Sequence, residues 1–217
     1  MINIVDFHTH HQNADSAIIS VNPWQFDPLP GLWYSVGFHP WHNVETLTDS
    51  DFAQLERCAL HQQVLAIGET GMDSLRGGNL DIQAMVFERH LRIAAVVDKP
   101  VVVHSVRTAQ NILSVRRQAG LTDVTLAIHS MRANAHVART LIDAGCYLSY
   151  GIRFNPAALL ATPLDRLLIE TDDSDTSIDE TATQVASVLH LPPNEVKSIA
   201  ITNTSSLFAP HGTPTSK

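Results

Sequence analysis

A chain of 217 residues, 44% hydrophobic and 17% charged, carries enough apolar material for one well-cored domain rather than two. Its formal charge of −8 excludes a globally basic nucleic-acid clamp and leaves room only for a local basic patch. No run approaches the ~18 apolar residues of a membrane span, and Met1-Ile2-Asn3-Ile4 lacks a basic signal-peptide start. The expectation is a cytoplasmic protein with no membrane association. Cys58 and Cys146 lie far apart and read as reduced, buried packing residues.

The first apolar run, within a strand candidate at 2–8, leads into Asp6-Phe7-His8-Thr9-His10. Alternate residues of a strand share a face, so His8 and His10 point into one space with Asp6 behind them. Two imidazoles at one strand end are a natural start for a divalent-metal site. Residues 11–16 are too few for a helix before the next candidate at 17–22. Residues 23–32, with Pro23, Pro28 and Pro30, resist a helix as well.

A third strand, 33–39, ends in Gly37-Phe38-His39-Pro40, and a fourth, 64–70, ends at Glu69. Residues 80–97 then place Ile82, Met85, Val86, Ile93 and Val97 on one helical face. Strands at 101–105 and 125–130 end in His104 and His129, and 147–152 and 167–173 follow, the last carrying Asp172. Helical patterns fill 108–119 and 134–144, ending at Gly120 and Gly145, which suit the left-handed position after a helix. Another helix starts near Ser177. Residues 1–210 read as a single domain and 211–217 as a polar tail.

Mostly continuous apolar strands alternating with helices imply a parallel α/β fold. Ligand-type residues at the ends of five different strands imply a (β/α)8 TIM barrel, whose active sites lie on the face where the strands end. The short early connections make it a trimmed barrel lacking one or two early outer helices.

These motifs, in this order, resemble a known family. Asp6-Phe7-His8-Thr9-His10, Gly37-Phe38-His39-Pro40, Ile67-Gly68-Glu69-Thr70-Gly71-Met72-Asp73, Lys99-Pro100-Val101-Val102-Val103-His104, His129 and Glu170-Thr171-Asp172 are similar to the successive motifs of TatD-type metal-dependent hydrolases. Asn203-Thr204-Ser205-Ser206-Leu207-Phe208 is similar to that family's last helix. The resemblance implies a barrel of the amidohydrolase type, a two-metal site and phosphodiester hydrolysis, usually deoxyribonuclease activity. Carried onto matching positions, His8 and His10 hold one metal, His104 and His129 the second, and Glu69 bridges them. Asp172 holds the first metal and acts on the attacking water. The chain departs from the family pattern at Ser105-Val106-Arg107, Ser130-Met131 and Asp173-Ser174-Asp175.

Mixed His and carboxylate donors suit two divalent ions, zinc or manganese well and magnesium less well. His39 ends a strand and either contacts a phosphate or polarises a leaving group, or else is a histidine fixed in a turn by Pro40; His11 and His42 are more evenly balanced. Arg107 and Arg132 each follow a ligand histidine by three residues, either reaching over the mouth toward a phosphate or forming surface ion pairs. Asp73 either anchors the loop after Glu69 or orients a ligand, the structural role being favoured, and Asp173 and Asp175 read as solvated acids. Trp24, Trp33 and Trp41 either wall a substrate cleft or pack under the truncated face, and packing is the default for all three. His61, His90, His136, His190 and His211, on helices or the tail, read as solvated.

The leading functional reading is a phosphodiesterase or deoxyribonuclease acting on ends of single-stranded or short DNA, a transient nucleic-acid substrate, with no obligate protein partner. The alternatives are an amidohydrolase cleaving a C–N or ester bond of a small molecule, a phosphate monoesterase, and a non-enzymatic metal-holding module. A free aspartate beside a full ligand set disfavours the last.

Overall fold

The computed structural model describes residues 3–208. Eight parallel strands close into a barrel in sequence order: β1 (Asp6–Thr9), β2 (Ala17–Val21), β3 (Trp33–Val36), β4 (Val64–Asp73), β5 (Val101–Val106), β6 (Leu126–Ile128), β7 (Tyr147–Tyr150) and β8 (Leu167–Ile169). Asp6 pairs with Ile169, which joins the last strand to the first. The helices are α1 (Asp49–Ala59), α2 (Leu80–Val97), α3 (Ala109–Gln118), α4 (Ala135–Asp143), α5 (Pro156–Leu160), α6 (Ile178–Leu189) and α7 (Pro193–Leu207). Only a turn links β1 to β2, and only a 3-10 turn, Pro23–Gln25, stands between β2 and β3. The barrel is therefore trimmed where the prolines and the short connection demand it. No helix among the described residues is long and apolar enough to cross a membrane.

Local chemistry explains the boundaries. The Asn79 side chain accepts from Asp81 N to start α2, and Ser177 and Glu180 form a capping box at α6. Gly120 and Gly145 take φ of 70° and 82°, the left-handed conformation read from the sequence. The buried face of α2 is Gln83, Val86, Phe87, His90, Leu91, Ile93 and Ala94. Met85, placed on that face in the sequence reading, is instead 68% exposed. The stripe advances by three and four residues from Gln83 through Phe87 and His90 to Ala94, and Met85 falls outside it.

Two apolar layers hold the barrel. The larger lies between the strands and the helices and includes Ile19, Val36, Ile67, Val103, Ile128, Leu148 and Ile169. The smaller fills the lumen with Phe7, Ile18, Ala66, Val102, Ala127 and Leu168, from six different strands. Side chains alternate faces along a strand. Two residues beyond Val102, Ala127 and Leu168 stand His104, His129 and Glu170, so the lumen core aims them at the barrel mouth.

Several strands are shorter than the sequence reading drew them. β6 stops at Ile128 and β8 at Ile169, short of 130 and 173. Ser130 and Asp172 then take φ of 49° and 57° where the chain turns outward, although Asp172 still bridges Thr9 of β1.

Candidate metal centre at the barrel mouth

Glu69 stands at the centre of the mouth with its side chain 2% exposed. Its Oε2 lies 3.3 Å from His8 Nε2 and 3.3 Å from His10 Nε2. Asp172 Oδ1 completes that set at 3.7 Å from His8 Nε2 and 3.6 Å from His10 Nε2. The other oxygen, Oε1, lies 2.9 Å from His39 Nε2, 3.0 Å from His104 Nδ1 and 2.7 Å from His129 Nε2. One carboxylate thus faces two separate donor sets.

The first set has the spacing of metal ligands. Donors bound at about 2.1 Å around a tetrahedral ion stand about 3.4 Å from one another. Buried His8 Nε2, 3.3 Å from Glu69 Oε2, also has no hydrogen-bond partner among the described residues. Atoms converging without bonding each other are what a shared cation requires, because orphaned buried polar atoms are otherwise costly. The residues present fit divalent ions.

Electrostatics agree with a carboxylate kept ionised. Burial pushes Glu69 up, but the charge of His129 and hydrogen bonds from His10, His104 and His129 outweigh it and hold the group well below its usual range. Burial pushes His129 down, yet Glu69 and Glu170 raise it well above an ordinary histidine. The hydrogen bond to Glu69 raises His10, against burial. Burial dominates at His39 and lowers it.

A ring of supporting groups aims these donors. Asp172 N donates to His8 O at 2.9 Å and His10 N donates to Asp172 O at 3.0 Å, clamping the aspartate against the end of β1. Buried Asp6 accepts from Thr171 N at 3.0 Å and Thr171 Oγ1 at 2.6 Å, while burial pushes its carboxyl up to about 7. Asp73 Oδ2 lies 3.2 Å from His104 Nε2, so Asp73 orients the His104 ring as well as anchoring its loop. Glu170 Oε1 lies 3.6 Å from His129 Nδ1 and accepts from Ser130 N at 2.6 Å.

His39 lies inside the second donor set, in reach of the same Glu69 oxygen as His104 and His129. Arg132 reaches within 4.0 Å of Asp172 Oδ2. Arg107 is exposed and forms no ion pair with the cluster among the described residues. His42 is exposed, 5.5 Å from the His39 ring, and His11 Nε2 lies 2.9 Å from Ser174 O. Asp173 and Asp175 are exposed.

Other expectations need correction. His90 is fully buried, not solvated: Phe38 N donates to its Nε2 at 3.0 Å, and its Nδ1 lies 2.7 Å from Val86 O. Amphipathic spacing marks α2 but does not say that a polar ring on its inner face will find partners. His61 is half-buried, whereas His136 and His190 are exposed; His211 lies outside the described residues. Trp33 packs against the lumen core, but Trp24 is 57% and Trp41 40% exposed, each held by its Nε1 donating 2.8 Å to Asp51 or Asp73. Arg153 was missed. With Arg132 it lines a small cavity beside Asp172, whose floor includes Ser130, Gly151 and Thr171. Its only sequence signal is a position just past a strand end, shared by many surface arginines.

The family described as TatD related DNase matches residues 24–209. A Mycobacterium tuberculosis protein named an uncharacterized metal-dependent hydrolase TatD is 34% identical over 154 residues, covering 65% of this chain and 58% of that one. An uncharacterized metal-dependent hydrolase of Bacillus subtilis, YabD, is 27% identical over 198 residues, covering 82% and 77%. The chain thus spans little more than half of the mycobacterial relative. Among solved structures, the Escherichia coli TatD homolog YjjV superposes with a TM-score of 0.80 at 18% identity, over 95% of this chain and 98% of that one. A match running through most of the barrel, together with donors gathered where such an enzyme would bind its metal, makes this chain a member of the TatD family of metal-dependent hydrolases.

Proposed function

We propose that the protein is a two-metal phosphodiesterase that acts on ends of single-stranded or short DNA. One observation carries the reading: the two oxygens of Glu69 face two distinct donor sets, with Asp172 at the edge of one and two arginines beside it. His8, His10, Asp172 and Glu69 Oε2 would hold one ion; His104, His129 and Glu69 Oε1 the second, with His39 in reach. Bound there, divalent ions supply Lewis acidity and lower the pKa of water toward neutrality.

The chain's own residues do the remainder. Asp172, 17% exposed, is the carboxylate of the cluster open to a water, and it accepts that water's proton. Arg132 and Arg153 bind phosphate oxygens from the side of Asp172, offering the fork of donors that suits them. The molecule is acidic overall, and only Arg132 and Arg153 line the cavity beside Asp172, so few phosphates are contacted and long duplex gains little. A relative from Cronobacter turicensis, 32% identical over 153 residues, is named a 3'-5' ssDNA/RNA exonuclease, which supports this substrate class.

The test is hydrolysis of single-stranded oligonucleotides by metal-loaded protein, beside a small chromogenic phosphodiester and a neutral amide. Asp172→Asn is expected to keep the fold and lower turnover roughly a hundredfold or more. Full turnover by that variant removes Asp172 as the proton acceptor. Untouched phosphodiesters with rapid amide hydrolysis replace the reading by an amidohydrolase.

A further inference from the structure

Two loops meet over the second donor set. The one after β3 carries Trp41, and the one after β4, residues 74–79, carries Arg76. The Arg76 guanidinium carbon lies 4.0 Å from the centroid of the Trp41 ring. The ring nevertheless stays 40% exposed. It stands edge-on to His39 and His104, with centroids 4.8 and 5.3 Å away. An exposed indole therefore borders the place where a substrate's phosphate would meet the metal donors.

Both members of the pair are held before any ligand arrives. Trp41 Nε1 donates to Asp73 Oδ2 at 2.8 Å. Asp73 Oδ1 accepts from Leu75 N at 2.8 Å and Arg76 N at 3.1 Å. Buried Gln83 donates from Nε2 to Asp73 O at 3.2 Å, Arg76 O at 3.2 Å and Gly78 O at 3.3 Å. Gly77 has φ of 90°, and a Cβ there would stand 2.3 Å from Pro40 O, so the second loop presses on the first where only glycine fits. An aromatic ring left in water beside a catalytic cluster, yet so fixed, is organised for a partner rather than for packing.

We propose that Trp41 and Arg76 form a stacking platform for the nucleobase of the terminal nucleotide. This rests on the phosphodiesterase reading and extends it from the phosphate to the base. Stacking on an aromatic ring or a guanidinium plane suits every base, because each has a π face. The Trp41 N–H is already engaged by Asp73, so the ring has no donor left to tell one base from another. The platform distinguishes a nucleotide from a bare sugar phosphate and is indifferent to base identity.

Calorimetric titration of the metal-loaded protein with deoxyadenosine and deoxycytidine 5'-monophosphates and with 2-deoxyribose 5-phosphate tests this, with hydrolysis of a small chromogenic phosphodiester measured in parallel. Both nucleotides are expected to bind about tenfold tighter than the sugar phosphate. In Trp41→Leu that ratio falls to near unity, whereas Trp41→Phe keeps most of it despite losing the bond to Asp73. Equal binding of nucleotide and sugar phosphate, or a ratio unchanged in Trp41→Leu, overturns the platform. If either result comes with an active phosphodiesterase, the platform alone fails. If neither sugar phosphate binding nor phosphodiester hydrolysis is found, the phosphodiesterase reading fails and the platform with it.

Discussion

His90 shows how a side chain far from the chemistry can govern it. Its ring bridges Val86 O on its own helix and Phe38 N, one residue before His39, and so fixes the backbone that presents His39 to Glu69. Accepting from Phe38 N leaves Nδ1 to donate, which requires the neutral ring. Burial pushes its pKa from 6.5 down to about 4. The unfolded chain takes a proton here below about 6.5 and the folded chain only below about 4, so this contribution is complete above 6.5 and is lost as pH falls through that window. His90→Gln can keep an acceptor and a donor without the titration. The variant is expected to lose less stability than the parent between pH 6.5 and pH 4.5, by up to about 1.4 kcal/mol per pH unit, in urea denaturation of the chelated protein. Parallel pH dependence of the two proteins would remove His90 from the account.

At the scale of elements, β4 and its neighbours work through close approach rather than side-chain packing. A Cβ on Gly71 would stand 2.1 Å from His104 O, and one on Gly68 would stand 2.4 Å from Val102 O. Bare backbone at these two points lets β4 lie against β5 with Glu69 between His104 and the other donors. Gly71 also holds φ of 141°, a conformation nearly confined to glycine. Gly71→Ala is therefore expected to cost about 3 kcal/mol or more and to weaken metal uptake by displacing His104. Gly145→Ala is the control, since φ of 82° is strained there but nothing lies within 4 Å, and its cost is about 1 kcal/mol. Comparable losses in the two variants, from denaturant midpoints, would mean that the strand contact is not tight.

For the whole molecule, the donor sets predict that folding is linked to metal. Glu69, His8, His104 and His129 are buried, and they come from strands β1, β4 and β5 and from the turn after β6. Ions that bind this arrangement and not the unfolded chain stabilise by mass action, about 4 kcal/mol at a thousandfold excess over Kd. Chelation is expected to lower the melting temperature by roughly 10 °C, and re-addition of zinc or manganese to restore it. Elemental analysis of the loaded protein is expected to find about two ions per chain, and Glu69→Gln to hold fewer. A melting temperature indifferent to chelator and metal would leave the cluster without a cation.

Sequence alone determined the periodic part of this protein. Apolar runs, most of them continuous, marked all eight strands, α2 was legible to its ends, and the prolines at 23, 28 and 30 announced the missing early helix. Strand-end position selected His8, His10, Glu69, His104, His129 and Asp172, because alternation along a strand is a local property that a sequence displays. Only the tertiary structure decided which donor faces which oxygen of Glu69, because that depends on the register of strands distant in sequence. It brought His39 into the second set, set Asp73 behind His104 and Glu170 behind His129, and placed Arg153 beside Arg132. It also buried His90 and left Trp41 in the mouth. Burial and partnership of a polar or aromatic side chain follow from what the closed barrel packs against it, and no window of neighbouring residues contains that information.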